Sequence, residues 1–245
     1  MKVALFSSCI VDLLKPEIGF ATLSLLEAAG CEVEVPEQSC CGQPNYNNGD
    51  EGGARDMARN WLRRFADYDY VVIPSGSCAA MLKNHAPTLF ADNDPAVQRQ
   101  LQALADKSYE LSQFLVEVVQ PDFGELPART VCYHDSCSGF RDLGIKRQPR
   151  QLLSQARGVA RVELPNAETC CGFGGTFSVK HPEVSCRLAD DKIAGIEDSG
   201  ADTLAGGDWS CLMHLQGRLQ ARGKNIKVKH FSEILVQALE KEGAS

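Results

Sequence analysis

The sequence predicts an α/β protein of two similar domains, each a small parallel sheet flanked by helices, with cysteine loops at the carboxyl ends of the strands. Three observations carry that expectation. Strand-like and helix-like segments alternate along the chain, the pattern of parallel sheets. The order of segments in the first half recurs in the second. A cysteine, or an adjacent pair of cysteines, follows corresponding strands in both halves.

In the first half, residues 3–6 are an apolar run that reads as a buried strand, with Cys9 in the loop after it. Pro16 opens a helix and Gly30 closes it, with Ile18, Leu23, Leu25, Leu26 and Ala29 supplying a core face. Residues 32–35 alternate polar and apolar, so they read as a strand leading into Cys40-Cys41-Gly42. Residues 43–53, rich in Asn, Gly and Asp, are expected to be loop. A helix follows, with Met57, Trp61, Leu62 and Phe65 at helical spacing, and Trp61 reads as core or helix-packing surface rather than a cofactor contact. Residues 70–73 are the next strand, and Ser77 is expected to cap a helix over 79–84, which places Cys78 in its first turn. Helices over 94–107 and 109–119 complete the half.

Residues 120–129 contain Pro121, Gly124 and Pro127 without periodicity and read as a linker. The expected boundaries are therefore a first domain over 1–120, a linker over 121–129 and a second domain over 130–245. In the second, residues 130–134 are a strand, Cys137 lies in the loop beyond, and a helix over 148–156 precedes a strand over 160–164. Cys170-Cys171-Gly172 comes next, then a helix from Pro182 to Gly200, a strand over 202–205, and Cys211 in a second turn into helix. Residues 226–229 and 231–240 are the last strand and helix.

The two halves align cysteine by cysteine. Cys9 corresponds to Cys137, Cys40-Cys41 to Cys170-Cys171 and Cys78 to Cys211. The first intervals are 31 and 33 residues and the second 37 and 40. Tyr109-Glu110-Leu111 and His230-Phe231-Ser232-Glu233 also fall in corresponding places, and four coincidences in the same order indicate duplication.

Composition narrows the chemistry. Eleven cysteines in 245 residues, spread over a long chain with no signal-peptide pattern, favour metal binding in a reducing compartment over a disulfide framework. A net charge of −7 argues against a general nucleic-acid binder. No segment has the eighteen or so apolar residues of a membrane span, so a cytoplasmic location is expected, with peripheral docking on a membrane complex left open.

Four thiolates at one place repel one another unless metal neutralises them. Adjacent cysteines followed by glycine suit that role, because glycine lets backbone N–H groups approach the sulfurs. Iron–sulfur clusters and structural zinc both take such donor sets. Cys31, Cys132 and Cys186 have no repeat partner and read as small core residues. His134 beside Cys137 admits a Cys–His nucleophile, although Cys137 is better explained as a ligand. Glu110 and Glu233, near equivalent helix starts, read as caps. The glycines of 172–175 lack dinucleotide-binding spacing.

Taken together, Cys9, Cys40-Cys41-Gly42 and Cys78, then Cys137, Cys170-Cys171-Gly172 and Cys211, resemble the two cysteine-rich CCG domains of the superfamily that holds the heterodisulfide reductases and the glycolate oxidase iron–sulfur subunits. Tyr133-His134-Asp135-Ser136-Cys137 and the run CCGFGGTF over 170–177 most resemble its lactate-utilisation iron–sulfur protein A branch. The resemblance implies an electron-transfer subunit of a 2-hydroxy-acid oxidising system, L-lactate to pyruvate, with other iron–sulfur and accessory subunits as partners. It implies an iron–sulfur cluster, of the 4Fe-4S kind, in up to one copy per half. The eight ligands would be Cys9, Cys40, Cys41 and Cys78, then Cys137, Cys170, Cys171 and Cys211. The superfamily's fuller motif ends in Cys-x-x-Cys, where this chain has Met81 and His214. Each half thus offers four cysteines, and His214 is a further candidate ligand. The alternatives are a thiol/disulfide oxidoreductase of heterodisulfide-reductase type and a zinc-binding scaffold protein.

Overall fold

A computed structural model describes residues 1–92 and 94–242. Strands β1 (Lys2–Leu5), β2 (Glu32–Glu34), β3 (Tyr70–Ile73) and β4 (Ser108–Glu110) form a parallel sheet in the order β2-β1-β3-β4. Strands β5 (Glu125–His134), β6 (Arg157–Val162), β7 (Thr203–Gly206) and β8 (Lys227–His230) repeat it in the order β6-β5-β7-β8. The chain divides into two compact units, Met1–Val119 and Gln120–Ser245.

The central strands are short and almost wholly apolar. Val3, Ala4 and Leu5 of β1, and Val71, Val72 and Ile73 of β3, are buried. Strands buried on both faces need helices on both faces, and each parallel crossover supplies one. In the first unit these are α1 (Cys9–Leu14), α2 (Pro16–Ala28), α3 (Gln43–Asn47), α4 (Glu51–Phe65), α5 (Gly76–Ala80), α6 (Pro95–Asp106) and α7 (Leu111–Phe114). In the second they are α8 (Arg147–Gln155), α9 (Thr176–Lys180), α10 (Pro182–Asp198), α11 (Trp209–Ala221), α12 (Phe231–Leu235) and α13 (Gln237–Glu242). Among the described residues, no helix is long and apolar enough to cross a membrane.

The two-domain α/β architecture stands as expected, and several local expectations are corrected. Cys9 is the first residue of α1, not a loop residue, because Ser8 Oγ accepts from Val11 N–H at 3.3 Å and caps the helix. Cys137 likewise opens a helical turn, with Ser136 Oγ accepting from Gly139 N–H at 3.2 Å. Residues 43–47, expected as loop, form α3, started by Pro44 in its first turn. The stretch expected as a helix from 109 begins as strand β4, whose Ser108 and Tyr109 pair with Val71 and Val72; three residues are too few to show a period of two. The cap of α5 is Ser75 rather than Ser77, with its Oγ accepting from Cys78 N–H. Residues 125–129, expected in the linker, are the first half of β5. There β5 pairs with β6 alone, since its pairing with β7 starts at Val131, and Pro127 is tolerated on that open side.

Candidate metal centres

In a doubly wound sheet the strand order reverses at one point, and the crevice beyond the carboxyl ends there is the natural ligand site. Here the reversal lies at β1, with β2 on one side and β3 on the other, and at β5 between β6 and β7. Cys9 leaves β1, Cys78 leaves β3, and the Cys40-Cys41 loop follows β2. Cys78 and Cys211 occupy the same third helical position, behind caps Ser75 and Asp208.

The structure brings each set of four together. Thiol–thiol hydrogen bonds link Cys9 to Cys40, Cys40 to Cys41 and Cys41 to Cys78. The second set repeats the chain: Cys137 to Cys170, Cys170 to Cys171 and Cys171 to Cys211. None of these cysteines is in a disulfide, and Cys41, Cys78, Cys171 and Cys211 are buried.

The glycine of each pair has a specific job. Gly42 and Gly172 both sit at φ +89°, a left-handed conformation that side chains resist. A Cβ on Gly172 would lie 2.5 Å from the Ser185 carbonyl oxygen, and one on Gly42 would lie 3.1 Å from Met57 Cβ. The loop can therefore pack onto α4 or α10 only without a side chain there. The turned backbone aims its amides at sulfur: Gly172 N–H donates to Cys170 Sγ at 3.3 Å and Phe173 N–H to Cys171 Sγ at 3.4 Å.

Electrostatics follow from the proton count. Cys40 is held far below the ordinary thiol range by donation from Cys41, then Cys9, and by the Gly42 amide. Cys170 is held down by Cys137, then Cys171, and by the Gly172 amide. The donor thiols Cys9, Cys41, Cys137 and Cys171 are pushed up, first because a neighbour holds their protons and then by burial. In each set one thiol is thus favoured as the anion while its hydrogen-bonded neighbours keep their protons, and a bound cation would compensate the further charge of a thiolate metal site. Four converging sulfurs with amide donors fit an iron–sulfur cluster or zinc.

The cysteine-rich domain designated CCG matches residues 3–83 and 131–216. Lactate utilization protein A of Geobacillus kaustophilus is 48% identical over 237 residues, covering 96% of this chain and 98% of that protein. Its counterpart in Geobacillus thermodenitrificans is 50% identical over 238 residues, again covering 96% and 98%. The chain belongs to the lactate utilization protein A family of CCG-domain proteins. Among solved structures, a hypothetical protein from Helicobacter pylori shares the fold, with a TM-score of 0.67 at 12% identity over 97% of this chain; this chain spans 49% of that one.

Within this family member the two histidines occupy different settings. His214 Nε2 lies 3.2 Å from Ser185 Oγ and its ring 6.0 Å from Phe173, so it braces the loop and is turned to a hydroxyl. His134 does not face Cys137 as a nucleophile's base. It lies with Cys171 and Cys211, a ring nitrogen and the two sulfurs all within 4.8 Å of one another. It is 1% exposed, and burial pulls its pKa down to about 3. Glu110 caps α7, accepting from Ser112 and Gln113 N–H, and Glu233 closes a capping box with His230.

Lys192 escaped the sequence reading. It is buried on α10, donates to the carbonyl oxygens of Asn166 and Ala167 (2.8 Å for the latter), and is pushed down by burial to about 8 against the pull of Asp135 and the cysteines. The available signal was a lysine standing among Ala189, Ile193 and Ile196 in an inward stripe. Cys31, Cys132 and Cys186 stand outside the two chains of thiol contacts.

Proposed function

We propose that the chain is an iron–sulfur electron-transfer subunit of a 2-hydroxy-acid oxidising system, with L-lactate as donor and pyruvate as product. The observation that carries this reading is the pair of matched four-cysteine groups at the switch points of two parallel sheets. The names of the relatives, lactate utilization protein A, favour lactate as the substrate of the system. A four-iron cluster bound in each half would supply one-electron storage, so that the pair matches the two electrons lost when a 2-hydroxy acid becomes a 2-oxo acid.

The chain's own residues perform the supporting work. Cys9, Cys40, Cys41 and Cys78 would hold the first centre, and Cys137, Cys170, Cys171 and Cys211 the second. The amides of Gly172 and Phe173 offset negative charge on sulfur, which favours the more reduced state. The inner cysteines Cys41, Cys78, Cys171 and Cys211 are buried. A cleft of about 670 Å³ lined by Arg141, Lys146 and Arg150 reaches Cys170 and leaves that sulfur approachable by a partner. Substrate dehydrogenation belongs to a partner subunit or a shared surface, and the assembly works in the cytoplasm.

Iron, zinc and acid-labile sulfide per chain, measured on anaerobically purified protein with its optical spectrum, test the reading. Iron and sulfide in equal amounts, with absorption that bleaches on reduction, are expected. Stoichiometric zinc without sulfide would sink electron transfer and leave a structural role.

A further inference from the structure

We infer that His134 is a nitrogen ligand of the metal centre in the second half, bound at the edge between Cys171 and Cys211, and that the first half has no counterpart. The inference rests on the metal-centre reading above and deepens it.

The ring is the last residue of β5, buried to 1% exposure, and neither Nδ1 nor Nε2 has a hydrogen-bond partner among the described residues. Leaving a buried polar group unsatisfied costs about 1–3 kcal/mol. A fold that needed only a filled space here would not keep an imidazole. The first half shows as much. Phe6 stands three residues before Cys9, as His134 stands three before Cys137, and Phe6 is buried against Phe65 with ring centroids 5.5 Å apart. An aromatic hydrocarbon therefore satisfies the packing of this position in the same fold.

Geometry says what the imidazole is for. Its nitrogen and the sulfurs of Cys171 and Cys211 lie mutually within 4.8 Å. Donors on one metal atom, with bonds near 2.0–2.3 Å, stand about 3.5–4 Å apart, so the ring need move little to join the iron that Cys171 or Cys211 would hold. Imidazole and thiolate suit the same borderline metals, iron and zinc. The ring is also held in place. The next residue, Asp135, takes a bidentate pair of 2.8 Å bonds from Arg150, and β5 stays paired with β7 through His134 itself, opposite Gly206. His214 lacks these properties, because its Nε2 already faces Ser185 Oγ.

The test is pulsed electron paramagnetic resonance on anaerobically purified, iron-replete protein, reduced with dithionite or by irradiation of the frozen sample. A histidine ligand gives a nitrogen coupling that changes pattern when the protein is grown with ¹⁵N-histidine. The coupling is expected in the wild type, lost in His134→Phe and unchanged in His214→Phe. Iron-replete wild type without a histidine nitrogen coupling, or loss of the coupling in His214→Phe, overturns the inference and leaves the functional reading intact. The second variant keeps the assignment decidable if His134→Phe fails to fold. Absence of iron and sulfide overturns both, and the metal analysis shows that before any spectrum is taken.

Discussion

The two halves hold four cysteines at the same positions of the same fold and surround them differently. The correspondence extends into the supporting helices. α4 buries Ala54, Ala58, Trp61 and Phe65, and α10 buries Ser185, Ala189, Lys192 and Ile196 at the same relative positions. Each substitution along that register moves from apolar to polar or keeps a small residue, except at the last. With Phe6 replaced by His134 and Ser7 by Asp135, positions that are uncharged in the first half carry buried ionisable groups in the second. Duplication has preserved the donors and released the setting. The thiolate donors of a metal site are constrained by coordination chemistry, whereas the surroundings of such a site tune potential and access and are free to diverge.

Removing one ligand from each side is the largest test of that comparison. Cys41→Ser and Cys171→Ser are each expected to lower iron per chain to about half, and the double variant to near zero, because each half closes its own site. Iron analysis reads this directly, and loss of all iron in either single variant would show that the halves do not load independently.

Glycine substitution comes next. Gly172→Ala places a methyl group 2.5 Å from a backbone oxygen, whereas Gly42→Ala meets a side-chain carbon at 3.1 Å, and both positions are at φ +89°. Left-handed strain alone costs about 1–3 kcal/mol. Gly172→Ala is expected to exceed Gly42→Ala in the shift of its urea midpoint; equal shifts would mean that both loops yield alike.

Lys192→Met removes a buried cation from one side only. The second centre's reduction potential is expected to fall by an amount on the order of tens of millivolts, the scale of one partly screened charge, while the first is unchanged. Redox titration followed optically checks it, and a fall shared by both centres would show that the two environments are not separate.

The smallest effect is one of pH. Asp190 pairs with Arg218 at 2.7 Å and with Arg222 at 3.1 Å, which hold it at about 2 against an ordinary 3.8. A depressed carboxylate stabilises the fold above its unfolded value, and that contribution is lost as pH falls from about 4 towards 2. Exposure of the pair keeps it modest. In the metal-free protein, Asp190→Asn should flatten the fall of the urea midpoint in that window; an unchanged slope would assign the acid sensitivity elsewhere.

Much of this was legible in the sequence. The order of strands and helices, the duplication and the membership of each cysteine group all follow from periodicity and spacing, because short-range pattern reports which face is buried. Errors gathered where the pattern is too short. The three-residue β4 and the single-turn α3 carry no period, and the cap that makes Cys9 helical is one serine oxygen. The strand over 125–129 was hidden by Pro127, whose place is decided by which edge of β5 is paired.

By itself, then, the sequence determined the fold class, the repeat and the grouping of the eight repeated cysteines, since these depend on residue type and order along the chain. Tertiary structure alone placed the histidines. His214 lies three residues from Cys211 in sequence and is turned to Ser185. His134 is far from both Cys171 and Cys211 in sequence and next to both in space. Parallel pairing of β5 with β7 and the return of the Cys-Cys-Gly loop over α10 create that neighbourhood, and no spacing along the chain encodes where three strand ends meet.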